Sequence, residues 1–144
     1  MTDTREMLEA LPTGVPLGVE EVAAAIDACL NCLQACTSCA DGDLVEADVE
    51  DLRACIALCV TCADVCDLTA RILSRPAQSD HLVVHRVLRA CVQECTICAQ
   101  ECERHAEHHR HCAICAKACR VCEAACRALL DAEAFEELEK LAGA

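Results

Sequence analysis

Cysteines spaced three and four residues apart are the feature that most constrains the fold of this chain. Its 144 residues include 17 cysteines, which fall into clusters. The clusters are Cys29, Cys32, Cys36 and Cys39; Cys55, Cys59, Cys62 and Cys66; Cys91, Cys95, Cys98 and Cys102; and Cys112, Cys115, Cys119, Cys122 and Cys126. This spacing places each cluster along one face of an α-helix. The residues between the cysteines, mostly Ala, Glu, Leu, Arg and Gln, also favour helix.

The N-terminal part of the chain divides into a linker and a first helix. Proline and glycine in the segment 11–18, LPTGVPLG, predict a linker. We therefore interpret residues 1–18 as an N-terminal extension and residues 19–144 as one cysteine-rich domain. The first cluster is expected on a helix over about 19–40, and the Asp-Gly-Asp sequence at 41–43 predicts a turn after it.

The limits of the second helix follow from the cysteine register and from a proline. If the second helix starts near Asp48 and not directly after the predicted turn, its cysteine cluster lies at the same height along the bundle as the first cluster. The helix is expected to end near Ser74, because Pro76 cannot continue it. Ser79 or Asp80 can then cap the N-terminus of the third helix.

The third and fourth clusters have no proline or glycine between them. One helix from about 80 to 130 would be roughly 75 Å long, too long to be covered in a compact domain, so a turn is expected near 106–109. The segment 131–143 predicts a short final helix. Since helices joined by short connections pack antiparallel, the predicted fold class is all-α: an antiparallel four-helix bundle with a cysteine-lined core and a short extra C-terminal helix.

Composition excludes several classes of function. The net charge of −13 argues against nucleic-acid binding, which requires a basic surface. The N-terminal sequence has neither the basic region nor the apolar stretch of a secretory signal, and no run of about 18 apolar residues predicts a membrane span. A cytoplasmic location is therefore expected, where thiols stay reduced.

A bundle lined with thiols is compatible with several chemistries. Disulfides within a cluster fit poorly, because β-carbons on neighbouring helical turns are about 5–6 Å apart and a disulfide requires about 3.5–4.5 Å. A zinc or iron–sulfur protein is an alternative, although such ligands usually lie on turns and loops. A redox-sensing thiol protein is another. No pattern singles out one nucleophile or a catalytic constellation, so the chain is not expected to be an enzyme.

Cu(I) fits the cysteine pattern best. It is a soft ion that prefers thiolate, and two or three ligands satisfy it. A thiol that binds Cu(I) loses one proton and gains one positive charge, so a core with about one ion per thiol stays near neutral. Four thiolates around Zn²⁺ would instead leave a 2− charge at each buried site. We therefore expect the core to hold many Cu(I) ions.

The chain resembles a known family in its four cysteine motifs, CLNCLQACTSC, CIALCVTC, CVQECTICAQEC and CAICAKACRVCEAAC. They are similar to those of the bacterial four-helix-bundle copper storage proteins, particularly the cytosolic branch. The resemblance covers about residues 20–130. It implies storage of many Cu(I) ions along the bundle axis, hence copper homeostasis and detoxification, and assembly as a homotetramer. The copper donor and acceptor do not follow from it.

The histidines in CERHAEHHRHC are similar to the mouth region of that family, where histidine helps copper to enter. His105 and His109 both continue the helical stripe from Cys102, and we expect them to bind metal together with all 17 cysteines. His108 continues the stripe from Cys112 and is an alternative. Exposed histidines that merely complement the helix dipole remain the simpler interpretation of this segment.

The remaining histidines are not expected to bind metal. His111 is predicted to point away from the stripe. His81 and His85 begin the third helix at the opposite end of the bundle and are predicted to be surface residues.

A second set of apolar residues predicts self-association. These residues lie offset from the cysteine lines of the first and fourth helices: Ile26, Leu30, Leu33, Ile114, Val121 and Ala125. A monomer would expose part of them, and large exposed apolar patches usually mark an interface. A symmetric homo-oligomer is therefore expected.

Overall fold

The computed structural model describes residues 2–132 together with Leu141 and Gly143. This part of the chain forms α1 (Thr4–Glu9), α2 (Val19–Leu44), a 3-10 turn (Val49–Leu52), α3 (Arg53–Leu73), α4 (His81–His105) and α5 (Arg110–Leu130), without a strand among the described residues. Each of α2 to α5 carries one cysteine cluster, and the predicted all-α fold class is confirmed. The final helix predicted over 131–143 lies almost entirely outside the described residues.

Helices α2 to α5 form an antiparallel bundle in which each packs against two neighbours. α2 packs against α3 and α5, and α4 packs against the same two helices. The cysteine face of every helix points to the common axis, where all 17 cysteines are buried. Small residues such as Ala25 and Ala99 are fully buried beside them, so the helices approach closely around a core of sulfur.

The first helix of the bundle is longer than predicted. α2 continues through Asp41–Asp43 to Leu44, so the turn predicted at 41–43 is wrong, and the chain turns at 45–48 instead. Gly42 allows close packing between two helices at this position. A β-carbon on Gly42 would lie 3.2 Å from the ring of His111, so the absence of a side chain lets α5 approach α2.

The second helix, expected from near Asp48, begins with a 3-10 turn at Val49 and becomes an α-helix at Arg53, whereas the limits that follow it agree with the predictions. α3 ends at Leu73, and the turn that separates α4 from α5 occupies 106–109. Asp80 caps α4, because its Oδ1 accepts hydrogen bonds from the backbone N–H of Leu82 at 2.9 Å and of Val83 at 3.1 Å.

Residues N-terminal to α2 cover one end of the bundle, which we call the closed end. Leu8 of α1 is buried there, with 3% of its surface exposed. Apolar side chains from the following segment and from three helices line a small cavity of about 30 Å³: Val15, Leu17, Val22, Ile72, Leu73 and Val84. This end lies beyond Cys29 and Cys126, and its apolar cover separates the core from water.

Helix α2 is long and apolar enough to cross a membrane by length and composition alone, since an 18-residue window in it has a mean hydropathy of 1.3. Half of that window is buried inside the bundle. A core helix of a bundle meets the same criterion.

Candidate metal centre

A continuous array of thiols runs along the bundle axis. All 17 cysteines are free, and none exposes more than 1% of its surface. Sulfur atoms lie close together within and between helices, with 3.5 Å between Cys29 and Cys122 and 4.0 Å between Cys55 and Cys59. Each sulfur therefore has other sulfurs near enough to share one soft metal ion.

Groups of four thiols recur along the array, with all four sulfurs within 4.8 Å of one another. Five of these groups are Cys29, Cys91, Cys122 and Cys126; Cys32, Cys66, Cys95 and Cys122; Cys32, Cys36, Cys62 and Cys119; Cys36, Cys98, Cys115 and Cys119; and Cys39, Cys59, Cys102 and Cys115. Adjoining groups share at least one cysteine. To fill adjoining groups together, the shared thiolates must bridge neighbouring ions, and Cu(I), which two or three ligands satisfy, suits such an arrangement.

The buried cysteines shift one another's pKa in both directions. Burial raises the pKa of Cys112, and negative charge on Cys39 and Cys55 raises it further. A hydrogen bond from Cys102 acts in the opposite direction and lowers the pKa of Cys39. Because metal binding requires thiolate, an ion that binds to a protonated cysteine displaces a proton.

The polar end of the bundle, which we call the mouth, lies at the 45–52 connection and the 106–109 turn. There the imidazole of His111 stands over the last thiols, with its Nδ1 3.4 Å from Sγ of Cys39 and 3.6 Å from Sγ of Cys112. The two sulfurs are 3.9 Å apart. The array thus ends in a mixed nitrogen and sulfur environment.

Asp43 completes this end of the array. Its side chain is fully buried, and its Oδ1 accepts a hydrogen bond from the thiol of Cys112 at 3.5 Å and lies 3.6 Å from Nδ1 of His111. Its Oδ2 has no hydrogen-bond partner among the described residues. Burial raises the pKa of Asp43 to about 7, and negative charge on nearby thiolates contributes. The carboxylate is held in a place that a cation would stabilise.

His105 and His109, the histidines predicted to bind metal, lie at the mouth but contact carboxylates. Nε2 of His105 is 3.1 Å from Oε1 of Glu101. Nε2 of His109 is 2.9 Å from Oδ2 of Asp48, and its Nδ1 is 3.3 Å from Glu46. The hydrogen bond to Asp48 raises the pKa of His109. The role of both histidines as metal ligands stays a prediction.

Two histidine placements predicted from the sequence are wrong. His111 does not point away from the stripe, because α5 begins at Arg110 and its first turn lies against α2 at Gly42. His85 is not a surface residue, since only 7% of it is exposed within the first turns of α4. The alternative candidate, His108, is exposed in the turn before α5.

Comparison with known proteins decides the family. The family model described as Csp, copper storage protein, matches residues 19–131, the span of α2 to α5. The chain belongs to the copper storage protein family. The resemblance seen in the cysteine motifs is confirmed.

Solved structures of other copper storage proteins share the fold. Ccsp from Streptomyces lividans, loaded with 10 copper equivalents, has a TM-score of 0.83 and 47% identity, covering 88% of this chain and 97% of that one. A second structure of that cytosolic copper storage protein, with five coppers, has a TM-score of 0.77 and 50% identity over 78% of this chain and 94% of that one. The Cu(I)-bound copper storage protein BsCsp3 has a TM-score of 0.68 and 34% identity, over 76% and 97% of the two chains.

Two acidic residues at the mouth of this copper storage protein, Asp43 and Glu46, were not predicted from the sequence. A signal for Asp43 was present: it follows Cys39 by four residues and therefore continues the stripe of the first cluster. The adjacent Gly42 favoured a turn and hid this continuation. Glu46 lies beyond the helix, where no periodicity applies, so only the structure places it beside His109 and His111.

Proposed function

We propose that this protein binds and stores many Cu(I) ions through the thiolates that line its bundle, and so serves copper storage, homeostasis and detoxification. The single observation that carries the proposal is the continuous chain of sulfur contacts, in which Cys122, Cys32 and Cys115 each belong to two adjoining four-thiol groups. Sharing of this kind suits bridging thiolates and two- or three-coordinate Cu(I). Membership of the copper storage protein family supports the same conclusion.

Charge supports Cu(I) over a divalent ion in the core. About one Cu(I) per thiolate leaves the array near neutral, whereas a row of four-thiolate Zn²⁺ sites would each carry a 2− charge. Lys and Arg are absent from the buried residues that the structure describes, so the protein supplies no countercharge there. A storage role requires no catalytic residue, and the protein is proposed not to be an enzyme.

The proposed ligands are all 17 cysteines, with His105 and His109 at the mouth. Imidazole binds Cu(I) less strongly than thiolate does, so histidines at the mouth suit transfer between the array and an external donor or acceptor. The copper-binding unit is proposed to be residues 19–144, with residues 1–18 as an N-terminal extension. Leu8 and the apolar residues after it then serve to cover the closed end.

We propose that the protein is a homo-oligomer, and by the family resemblance a tetramer. Leu30, Ile114 and Val121 of the predicted second apolar set expose 40%, 53% and 50% of their surfaces. Ile26 of the same set is buried, and it lines one cavity together with Leu8 of α1. The mass in light scattering at micromolar concentration tests this proposal, which a monomer would contradict.

A cytoplasmic location is also proposed. The relative from Streptomyces lividans is a cytosolic copper storage protein. The 17 free thiols agree with a reducing compartment.

Anaerobic titration with Cu(I) against a competing chelator tests the function. Storage predicts close to one bound ion per cysteine, counted by metal analysis per chain. Binding of one metal ion per four cysteines would instead favour a zinc protein. Weak Cu(I) binding with reversible thiol oxidation would favour a redox sensor and overturn the proposal.

A further inference from the structure

The residues that precede the bundle are attached to it by a small number of contacts. We call residues 2–18 the strap. Leu8 is the one buried side chain of α1, whereas Met7 of the same helix exposes 62% of its surface. A helix of six residues is not stable by itself, so α1 depends on its contacts with the bundle.

Polar contacts fix the start of the strap to α2. The hydroxyl of Thr4 donates a hydrogen bond to Oδ1 of Asp27 at 2.6 Å, and the hydroxyl of Thr2 donates to the same oxygen at 2.9 Å. Arg5 forms an ion pair with Glu20 at 2.7 Å. The side chains of this pair are 61% and 65% exposed, and exposed pairs of this kind add little stability.

The strap packs against the bundle incompletely. A cleft of about 300 Å³ lies between α1 and the bundle, and Ile26, Leu30 and Ser74 line it on the bundle side. Space of this size is unusual in a packed interface, where side chains fill the volume. Few buried contacts and solvent-exposed hydrogen bonds are typical of a segment that opens locally while the rest of the protein stays folded.

The strap covers the thiols at the closed end. Ile26 lines the cleft together with Leu8, and it lies one helical turn before Cys29 on α2. Ile26 is 3% exposed while the strap is in place. Val15 and Leu17 of the strap line the small cavity at the same end of the bundle. The four-thiol group nearest to this cover is Cys29, Cys91, Cys122 and Cys126.

We propose that the strap is a gate, which opens locally and then gives small solutes a second route to the thiol array, at the end opposite the mouth. The copper storage family model matches from residue 19, so the bundle of this family is defined without the strap. The gate concerns access to thiols. It rests on the proposed copper storage only for its consequence, the release of Cu(I) from the group that contains Cys29 without passage through the mouth.

Thiol labelling of the reduced, copper-free full-length chain tests the proposal. A sub-stoichiometric amount of N-ethylmaleimide is added, and peptide mass mapping gives the initial rate at each cysteine. Leu8→Asp removes the apolar anchor of the strap. It should raise the rates at Cys29 and Cys126 by about tenfold or more, while the rates at Cys39 and Cys112 stay as in the parent. Each cysteine is compared with itself in another protein, so differences in reactivity among cysteines do not enter.

Two further variants make the labelling result specific. Met7→Ala, on the exposed side of α1, is the matched control and should label as the parent does. Thr4→Val combined with Arg5→Gln weakens the polar contacts without placing a charge in the apolar cover, and it should raise the rates at the closed end by a smaller factor. Unchanged rates there in both strap variants would overturn the proposal. A rise of equal size at all cysteines would also overturn it, because the strap would then stabilise the whole bundle.

Copper release separates the gate from the storage function. In Leu8→Asp, Cu(I) should pass to a chelator several-fold faster than in the parent, with the number of bound ions unchanged. If the parent binds little Cu(I), the storage function is wrong and the labelling result still decides the gate. If Cu(I) capacity is full and labelling at the closed end does not change, the gate is wrong and the storage function stands.

Discussion

Gly42 of α2 and His111 of α5 are in direct contact, so that a β-carbon added to the glycine would lie 3.2 Å from Cδ2 of the imidazole. This close approach places Nδ1 of the ring 3.4 Å from Sγ of Cys39. The position of one imidazole above the thiol array is therefore set by the lack of a side chain on the facing helix.

Replacement of this glycine tests the contact. In a helix interior Gly→Ala normally stabilises by roughly 0.5–1 kcal/mol. For Gly42→Ala we expect retained helicity but a displaced His111, and hence copper release to a chelator changed several-fold with the number of bound ions unchanged. Release kinetics and metal analysis measure both. Asp41→Ala is the control, and unchanged release from Gly42→Ala would show that the ring is not held by the glycine.

Asp43 should destabilise the copper-free protein at neutral and higher pH. Its pKa in the folded state, about 7, lies above the ordinary value of 3.8, so the cost of ionising it is absent below pH 3.8 and complete above pH 7. Asp43→Asn should therefore raise the free energy of unfolding at pH 8 by on the order of 2 kcal/mol, and by little at pH 4. Urea unfolding of the reduced protein at both pH values measures this. An equal effect at both would exclude ionisation as the cause.

His109 should titrate above its ordinary range because it pairs with Asp48. The hydrogen bond to Asp48 raises the pKa of His109, and the same contact lowers the pKa of Asp48. Stability from a histidine of raised pKa is complete below its unfolded value of about 6.5 and is lost as pH rises through the folded value. NMR titration of the ring protons should show the raised pKa, and Asp48→Asn should lower it. A pKa that is the same in both proteins would mean that the ion pair does not form in solution.

Thiols deep in the array should determine capacity. Cys95 lies 3.9 Å from Cys62 and 3.8 Å from Cys66, and Cys98 lies 3.9 Å from Cys59. Changing Cys95 and Cys98 to serine should lower the Cu(I) count by about one ion per lost thiol, because hydroxyl does not replace thiolate for a soft ion. Metal analysis after saturation gives the count. Thr61→Ser, on the outward side of α3, serves as a control.

The histidines of the mouth should govern rate more than capacity. Changing both His105 and His109 to alanine should leave the number of Cu(I) ions nearly intact, because thiolates hold most of them. Uptake or release should change several-fold, a barrier change on the order of 1 kcal/mol. If the double variant binds fewer Cu(I) ions, in proportion to the two lost histidines, and its rates are unchanged, the pair would be storage ligands. If neither quantity changes, the two side chains take no part in copper binding.

The core could be predicted from the sequence because the spacing of its cysteines is a property of each helix by itself. Residues three and four apart share a helix face whatever the helix packs against, so the alignment of each cysteine cluster on one face follows from spacing alone. Pro76 and Asp80 act within one turn of the backbone, and both helix limits near them were predicted correctly. Such signals require no knowledge of the neighbouring helices.

The mouth could not be predicted in the same way because its contacts join distant segments. The interaction of Gly42 with His111 depends on how closely α2 and α5 approach. The sequence of either helix alone does not determine this distance. Asp-Gly-Asp is usually a turn sequence, so local preference pointed to the wrong structure. The prediction for His85 was wrong for the same reason, because other parts of the chain bury the first turns of α4 and the sequence of α4 does not show this.

The apolar cover of the closed end makes the thiol array a blind channel. Leu8, Val22 and Leu73 are buried at that end, so an ion held near Cys126 is separated from the mouth by the whole length of the bundle. Ions in such a channel cannot pass one another freely, and each must move from sulfur to sulfur in sequence. We therefore expect the ions nearest the mouth to be the first to leave.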